Sequence, residues 1–208
     1  MQHWNGHQVC AIDTETTGLD PNWHEMWQIC ILPLDSDFMP RRDVSPFYIN
    51  FTLECPERVD WTSDVMKGNK SRIIEATRTG HDKFKAAELF EKWYEKLKLP
   101  LNKGGVVQCK VIPLGQNYAF DLGFMKAWLG PLNYDHFFHY HYRDTMPSAL
   151  FLNDHAAMQA EKVPYPKVGL KWLSTTHSVQ LERAHDSLQD CLAVAEVYRK
   201  MCQSSHLG

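Results

Sequence analysis

The stretch AIDTETTGLD, residues 11–20, places two carboxylates directly after an apolar run. Asp13 and Glu15 follow residues 9–12, whose sequence VCAI predicts a short buried strand. Because side chains alternate along a strand, the two carboxylates point to one side, about 7 Å apart. No lysine or arginine lies near them in the sequence to relieve their repulsion. The stretch therefore predicts a charged site at a strand end that needs compensation from elsewhere.

The composition limits the class of protein. The chain has 208 residues, of which 44% are hydrophobic and 12% aromatic, so we expect a single domain over residues 1–208. With a net charge of −3 there is no global basic signature, so a polyanion must be met by a local patch or by bound metal ions. The six cysteines form no CxxC pair, which favours reduced, buried thiols over a zinc ribbon or disulfide framework.

The sequence carries no sign of export or of membrane insertion. Residues 1–10, MQHWNGHQVC, lack a basic segment followed by an apolar one, as a signal peptide would have. No apolar run approaches the roughly 18 residues that a membrane span needs. We therefore expect a soluble, cytoplasmic protein without membrane contact.

Hydrophobic periodicity predicts strands first and then strands alternating with helices, which indicates an α/β domain with a mixed sheet. Strands are predicted over residues 9–12, 26–34, 44–53, 106–115 and 137–144. Helices are predicted over residues 83–97, 117–130, 145–160, 168–177 and 185–201, and residues 55–70 are expected to be rich in turns. The first helix has an apolar face with spacings of three and four, formed by Phe84, Ala87, Phe90, Tyr94 and Leu97.

Two further acidic positions lie at predicted helix starts. In GQNYAFD (115–121), Asp121 is one turn into a helix for which Asn117 is the candidate N-cap. In HDSLQD (185–190), a spacing of five separates His185 from Asp190, and this spacing does not place two side chains on one helix face. We therefore expect His185 to precede the helix, free to lean over whatever Asp190 binds.

The start of the last helix has a capping pattern. Asp186 is the predicted N-cap, with Gln189 at the third helical position. Asp190 then lies near the helix N-terminus, where the helix dipole favours an anion.

Carboxylates at a strand end suit a metal site. Ligands collect at the carboxyl ends of strands in α/β sheets, and carboxylate oxygens suit Mg²⁺ or Mn²⁺. Asp13 and Glu15 alone are equally compatible with a solvated strand end whose carboxylates accept local hydrogen bonds. Asp121 and Asp190 shift the balance toward metal binding.

The three motifs DTETTG, NYAFD and HDSLQD together resemble the exonuclease motifs of the DEDDh branch of the DEDD 3′→5′ exonucleases. Relatives in that family include bacterial proofreading subunits, ribonuclease T, and oligoribonuclease-type and tRNA-trimming enzymes. The resemblance covers roughly residues 9–201 in the family's order, and the Arg143-Asp144-Thr145 junction also fits. It implies a ribonuclease H-like mixed central sheet flanked by helices. The histidine five residues before the last aspartate places the resemblance in the histidine branch.

The resemblance implies a two-metal hydrolase. Asp13, Glu15, Asp121 and Asp190 would hold two divalent cations, Mg²⁺ or Mn²⁺, with Asp13 between them. His185 would be the general base that takes the proton from the attacking water, and its ordinary pKa near 6.5 suits this role. The substrate would be the 3′ end of single-stranded DNA or RNA, with DNA slightly favoured. The products would be nucleoside 5′-monophosphates.

The resemblance also implies a seat for the terminal nucleotide. The matching residues are Thr14, Thr16, Thr17, Gly18, Leu19, Asn117 and Phe120. The Thr14 amide would meet the 3′ hydroxyl or phosphate, Gly18 would permit close approach, and Leu19 would wedge against the base. An ordinary turn over 17–19, a plain helix cap at Asn117 and a core position for Phe120 are the alternatives.

Several polar residues have competing interpretations. Asp144 is either a fifth catalytic carboxylate or, as we prefer, the cap of the helix that begins at Thr145. His136, His139 and His141 suggest a zinc cluster, but His136 would point away from the other two on a strand, and no fourth ligand has a familiar spacing. We interpret these histidines as polar-face residues, and substrate contact stays open.

Exposed aromatic and basic residues are candidates for strand binding. Trp23 and Trp61 lie in polar, turn-like surroundings, so one of them is a candidate for stacking a base. The basic residues of the irregular segments are either phosphate contacts or a solvated surface: Lys67, Lys70, Arg72 and Lys103.

Two alternative functions remain at this point. One is a catalytically inactive nucleic-acid-binding or polymerase-associated module of the same fold, which has no chemical reason to keep all five catalytic residues. The other is a zinc hydrolase built on the histidine cluster. Whether the protein acts alone, as a homodimer or with a polymerase partner is open.

Overall fold

The computed structural model describes residues 6–101, 108–181 and 185–204, and these form a mixed five-stranded sheet flanked by helices. The strands are β1 (Gln8–Thr16), β2 (Met26–Pro33), β3 (Phe47–Asn50), β4 (Val111–Gly115) and β5 (Arg143–Asp144), in the spatial order β3-β2-β1-β4-β5. β2 is antiparallel to β1 and β3, whereas β4 is parallel to β1 and β5. The prediction of an α/β fold with a mixed sheet is confirmed.

The helices of the described residues follow the strands in a partly alternating order. They are α1 (Asp64–Gly68), α2 (Lys70–Thr79), α3 (Lys83–Glu95), α4 (Tyr118–Leu129), α5 (Pro131–Phe137), α6 (Thr145–Met158), α7 (Leu170–Thr176) and α8 (Ser187–Ser204). A single 3-10 turn, Pro56–Arg58, precedes α1 in the part of the chain described. No helix among these residues is long and apolar enough to cross a lipid bilayer.

The two faces of β1 are buried against different helices. Cys10 and Ile12 pack with the apolar residues of α3, α4 and α5, whereas Val9 and Ala11 pack with those of α8. Because the strand is covered on both faces, its sequence reads as an unbroken apolar run rather than an alternating one. This alternation determines which helix each residue further along β1 can reach.

The strand β1 is longer than predicted. It continues past Ile12 to Thr16, so Asp13 and Glu15 lie within the strand and not after it. Its pairing with β2 extends to Thr16, whereas its pairing with β4 ends at Ala11. The carboxylates therefore lie where β1 has lost one of its two neighbours.

The expected turn region at 55–70 was only partly right. It contains α1 and leads directly into α2, which the sequence analysis missed. Of the residues in α2, only Ile73 and Ala76 are buried, so its apolar face is too narrow to produce a clear helical periodicity.

The strand predicted over 137–144 was wrong. Its first residue ends α5, Phe138 makes only an isolated bridge to Val111, and the strand itself is limited to Arg143 and Asp144. The aromatic residues Tyr134, Phe137 and Phe138 are spaced by three and four and join one cluster, which is a helical pattern. Pro131 at the first helical position favours this start.

The remaining predicted strands and helices are found with shifted ends, and residues 106 and 107 lie outside the described residues. The predicted apolar face of α3 was wrong at one position, because Phe84 is 76% exposed. Four of the six cysteines are buried, as expected, whereas Cys55 is only half-buried and Cys202 is exposed.

Phe90 of α3 is the centre of the aromatic cluster on one face of the sheet. It is fully buried, and six aromatic rings lie around it with centroids 5.1–6.0 Å away: Phe47, Trp93, Tyr94, Trp128, Phe137 and Phe138.

We predict that Phe90→Ala lowers the free energy of unfolding by about 3–5 kcal/mol, because it leaves a cavity inside this cluster. Urea denaturation followed by circular dichroism measures the change. Phe84→Ala on the same helix is the matched control and should change the free energy by no more than about 0.5 kcal/mol. Similar losses for both variants would contradict the placement of α3.

Candidate active site

Side-chain alternation along β1 sends Asp13 and Glu15 toward α8, on the side of Val9 and Ala11. The strand has an irregularity between Glu15 and Thr16, where Glu15 pairs with Gln28 but Thr16 pairs with Met26. Such a bulge changes the direction of a side chain near the end of a ladder.

Asp121 reaches β1 from the other side. Its Oδ1 accepts hydrogen bonds from the Thr14 amide at 2.8 Å and from the Thr14 hydroxyl at 2.7 Å. The Thr14 amide is available because pairing between β1 and β4 stops at Ala11 and Leu114. The first turn of α4 is thereby tied to β1 beside Asp13.

Asp144 holds the start of two helices. Its carboxylate accepts from the Met146 amide at 2.9 Å at the start of α6, as predicted for a cap. It also accepts from the amides of Asn117 at 3.0 Å and Tyr118 at 2.7 Å. Asn117 does occupy the N-cap position of α4, but the expectation that its side chain caps the helix was wrong: it has a left-handed φ of 58° and makes no capping bond.

The His185 loop and α8 bring the remaining two residues to the site. His185 precedes α8, as expected, and its amide donates to Asp190 Oδ2 at 3.1 Å. Asp186 accepts from the Gln189 amide at 3.4 Å and, through its carbonyl, from the Asp190 amide at 2.9 Å. His185 itself has a left-handed φ of 63°, a backbone conformation that is unfavourable for residues other than glycine.

The potential metal-ligating atoms of Glu15, His185 and Asp190 all lie within 4.8 Å of one another. Within residues 6–101, 108–181 and 185–204, this is the only group of three or more such side chains. Asp13 lies two residues before Glu15 on the same side of β1, and Asp121 binds Thr14 between them. The five predicted catalytic residues are thus neighbours in space.

Burial and mutual repulsion keep these carboxylates from ionising easily. Burial is the main cause in each case: it raises the pKa of Glu15 to about 8, that of Asp121 to about 7 and that of Asp190 to about 6. The pKa of Asp13 is raised well above its ordinary range by burial and by the charge of Asp121. Bound cations would favour the ionised forms, and four carboxylates are the oxygen donors that suit Mg²⁺ or Mn²⁺.

Gln28 of β2 connects α8 to the sheet. Its Oε1 accepts from the Ser187 amide and hydroxyl and from Arg72 Nη2, each at 3.1 Å. Its Nε2 donates to Tyr48 Oη at 3.0 Å and to Asn50 Oδ1 at 2.9 Å. The buried amide therefore fixes the first residue of α8 against β2 and β3.

Arg72 of α2 holds the His185 loop from above. Its guanidinium forms an ion pair with Asp186 at 2.8 Å and donates to the His185 carbonyl. The guanidinium also lies 5.0 Å from the centre of the Trp27 ring. Since the carbonyl and the amide of His185 are both bonded, its unfavourable backbone conformation is held from two sides.

This role of Arg72 was not predicted from the sequence, and neither was that of Gln28. Arg72 was expected either to contact phosphate or to be solvated, and its guanidinium is instead bonded within the protein. The signal for Gln28 was present, because a single polar residue within the apolar strand MWQICILP must find buried partners.

The predicted nucleotide seat is a tight loop between β1 and β2. The Thr16 hydroxyl donates to the Gly18 carbonyl at 2.7 Å, and the Thr17 hydroxyl accepts from the Glu25 amide at 2.9 Å. A Cβ on Gly18 would lie 2.3 Å from the His24 ring, so only glycine fits without displacing it. Leu19 at the tip is 80% exposed.

Phe120, also predicted for the seat, is half-buried, and its ring centroid lies 5.1 Å from that of Phe124. It therefore contacts the core, as the alternative interpretation expected, and keeps part of its ring exposed.

The histidine cluster lies away from the carboxylates. The His139 amide donates to the Val111 carbonyl at the start of β4, about 13 Å along that strand from Gly115, which precedes α4. Its Nδ1 accepts from the His141 amide at 3.0 Å, while His136 lies on α5 with its ring against Phe137. The proposed strand placement of these residues was wrong, and they form no compact metal-ligating group among the described residues.

No protein-family model and no curated protein matches the sequence. The structure resembles exonuclease I from Methylocaldum szegediense with a TM-score of 0.65 and 18% identity, covering 96% of this chain and 41% of that one. It resembles the zinc-bound complex of E. coli exonuclease I with single-stranded DNA with a TM-score of 0.67 and 16% identity, covering 97% and 41%. Cell-death related nuclease 4 gives a TM-score of 0.65 at 16% identity, covering 99% and 67%.

These similarities concern the fold. The chain spans about two fifths of the length of the exonuclease I chains that it resembles, 41% in each case above. The prediction of a ribonuclease H-like α/β fold is confirmed by the shared architecture. Assignment to the DEDDh branch stays a prediction.

We predict that the metal-free protein loses stability as pH rises from about 5 to about 8. The raised pKa values mean that the folded state holds protons which the unfolded state has already released in this range, so the free energy of unfolding falls with pH. Mn²⁺ should reduce this fall, because it favours the ionised carboxylates. Thermal melts at five pH values, with EDTA or with Mn²⁺, measure the effect.

Glu15→Gln should flatten the pH dependence of the metal-free protein, whereas Glu91→Gln on the exposed face of α3 should leave it unchanged. A stability that rises with pH in EDTA, or equal slopes for the two variants, would contradict the prediction.

We also predict that Arg72→Ala lowers the free energy of unfolding by about 3 kcal/mol, because it leaves Asp186 buried without its partner. Arg78→Ala on the same helix removes an exposed ion pair with Glu75 and should change it by less than about 1 kcal/mol. Chemical denaturation measures both. A loss for Arg72→Ala no greater than that for Arg78→Ala would show that the ion pair does not hold the loop.

Proposed function

We propose that this protein is a metal-dependent 3′→5′ exonuclease that releases nucleoside 5′-monophosphates from single-stranded nucleic acid. One observation carries the proposal: Asp13, Glu15, Asp121, Asp190 and His185 converge from three elements in a fold that known exonucleases share. Burial raises the pKa of each carboxylate, so ionised carboxylates are unfavourable here without a partner of opposite charge. A bound cation would provide that charge.

In this proposal two divalent cations would be held by the carboxylates of Asp13, Glu15, Asp121 and Asp190. Such ions, when bound, activate water and stabilise the charge that develops on the scissile phosphate and on the leaving 3′ oxygen. Thr14 fixes the orientation of the Asp121 carboxylate through two hydrogen bonds. The His185 amide fixes that of the Asp190 carboxylate through one. These two carboxylates therefore need no change of side-chain orientation when ions bind.

His185 is the proposed general base. Burial and the nearby Arg72 charge lower the pKa of its imidazole, so the ring is neutral and able to accept a proton at neutral pH. Its backbone is anchored on both sides, while its side chain remains exposed at the site. The proton taken from the attacking water would therefore leave through solvent.

Loop 16–19 is the proposed seat of the terminal nucleotide, with the small Gly18 allowing close approach and Leu19 available to a base. We propose a single strand as substrate, with DNA slightly favoured. E. coli exonuclease I, which shares the fold, has been observed with single-stranded DNA and with a dA16 oligonucleotide. A cytoplasmic location stays a prediction.

The test is a time course on single-stranded DNA and RNA of one sequence, labelled at the 3′ or the 5′ end, with Mg²⁺, Mn²⁺ or EDTA. We expect the 3′ label to be released at once as a mononucleotide while the 5′-labelled strand shortens stepwise. Asp13→Asn and Asp190→Asn should each lower the rate more than about 100-fold, since even residues behind the metal ligands contribute 10–100-fold.

The matched control is Asp154→Asn, which changes an exposed carboxylate on α6 and should leave the rate unchanged. His185→Gln should lower kcat by about 10²–10⁴-fold while keeping the Mn²⁺-induced rise in Tm. Metal-dependent stabilisation without any hydrolysis would instead favour the inactive nucleic-acid-binding module.

A further inference from the structure

Two exposed tryptophans each have a cation next to the ring. Trp23 is 55% exposed, and the Arg58 guanidinium carbon lies 4.3 Å from its ring centroid. Trp61 is 38% exposed, and Lys70 Nζ lies 5.7 Å from its ring. We call these four residues the tryptophan face.

The tryptophan face adjoins both parts of the proposed active site. The Trp23 amide donates to the Asp20 carbonyl at 3.0 Å, within the loop that contains the nucleotide seat. The Thr17 carbonyl of that seat accepts from the Asp60 amide at 2.8 Å, which places Trp61 next to it. Lys70 lies on α2 two residues before Arg72, which binds the His185 carbonyl.

The two cations are available to a ligand. Within the described ranges 6–101, 108–181 and 185–204, neither Arg58 nor Lys70 takes part in an ion pair, whereas the nearby Lys67 is paired with Asp64 at 3.2 Å. Each cation rests beside an aromatic ring, an arrangement that stabilises a partly desolvated cation. Acidic residues also lie in this region, and two of them, Asp20 and Asp60, accept hydrogen bonds from Asn22 and Thr62.

This mixture of charge favours a ligand that is held mainly by stacking. Every base has a π-face, so a strand of any sequence can stack on either tryptophan. The two cations can bind the phosphates next to the stacked bases. A duplex could not offer unpaired faces to the rings.

We infer that the tryptophan face binds the part of the substrate strand upstream of its 3′-terminal nucleotide, with bases stacked on Trp23 and Trp61 and phosphates near Arg58 and Lys70. This inference rests on the proposed exonuclease function. It predicts that the enzyme selects unpaired strands several nucleotides long.

The test compares oligothymidylates of 2, 4, 8 and 16 nucleotides with the p-nitrophenyl ester of thymidine 5′-monophosphate, which contains no upstream strand. For the protein as it is, kcat/KM should rise with length. In the variant carrying both Trp23→Ala and Trp61→Ala the deficit should grow with length, mostly through KM, to about 10–100-fold for the longest strand. Replacing both by Phe should restore most of the loss.

Phe151→Ala is the matched control. This ring is 60% exposed on α6 and lines a cavity with Met201 and Cys202, about 16 Å along α8 from Asp190. Its removal should leave the length dependence unchanged. Rates on the 16-nucleotide strand should fall only weakly with salt, with a slope of about −1.4 in a double-logarithmic plot for two phosphate contacts.

A deficit independent of length, or no deficit, would overturn the inference and leave the exonuclease proposal intact. A salt slope of about −4 or steeper would also overturn it, because phosphate contacts elsewhere would then dominate. Absence of hydrolysis of both the ester and the oligonucleotides by the unaltered protein would overturn the exonuclease proposal and the inference with it.

Discussion

The alternation of side chains along β1 is the constraint on which the candidate site depends. Asp13 and Glu15 face α8, while Thr14 between them faces α4 and binds Asp121. Side chains of one strand thereby contact or face helices on both sides of the sheet. Since β1 is central, a shift of one residue in its register would exchange the two sets and disperse the carboxylates.

Among the residues that the structure describes, Arg72 is the cation whose charge acts on the carboxylates of Glu15 and Asp190. The Arg72 guanidinium lowers the pKa of both Glu15 and Asp190, but burial outweighs it in both cases. The same guanidinium forms an ion pair with Asp186 and a hydrogen bond with the His185 carbonyl. It therefore holds the His185 loop in place in addition to its electrostatic effect on the carboxylates. Arg72 of α2 thus holds the unfavourable backbone conformation of His185 and also reduces the repulsion among the carboxylates.

The carboxylates and His185 could be proposed as a set because each of the three motifs that resemble the exonuclease motifs is local in the sequence. Asp121 lies in the first turn of α4, shortly after β4 ends at Gly115, and His185 and Asp190 are separated by one turn and a cap. The Arg72 interactions could not be predicted in this way, since its partners Gln28 and Asp186 are 44 and 114 residues distant. The segment at 137–144 failed for another reason: aromatic residues favour strands by composition, whereas their spacing here belongs to a helix.

Asp144 gives the fold a cooperative link that is separate from the chemistry. One carboxylate accepts the free amides at the start of both α4 and α6, so removal of this one side chain would leave both helix starts without their acceptor. The start of the helix that carries Asp121 is in this way anchored to β5, the strand at the edge of the sheet.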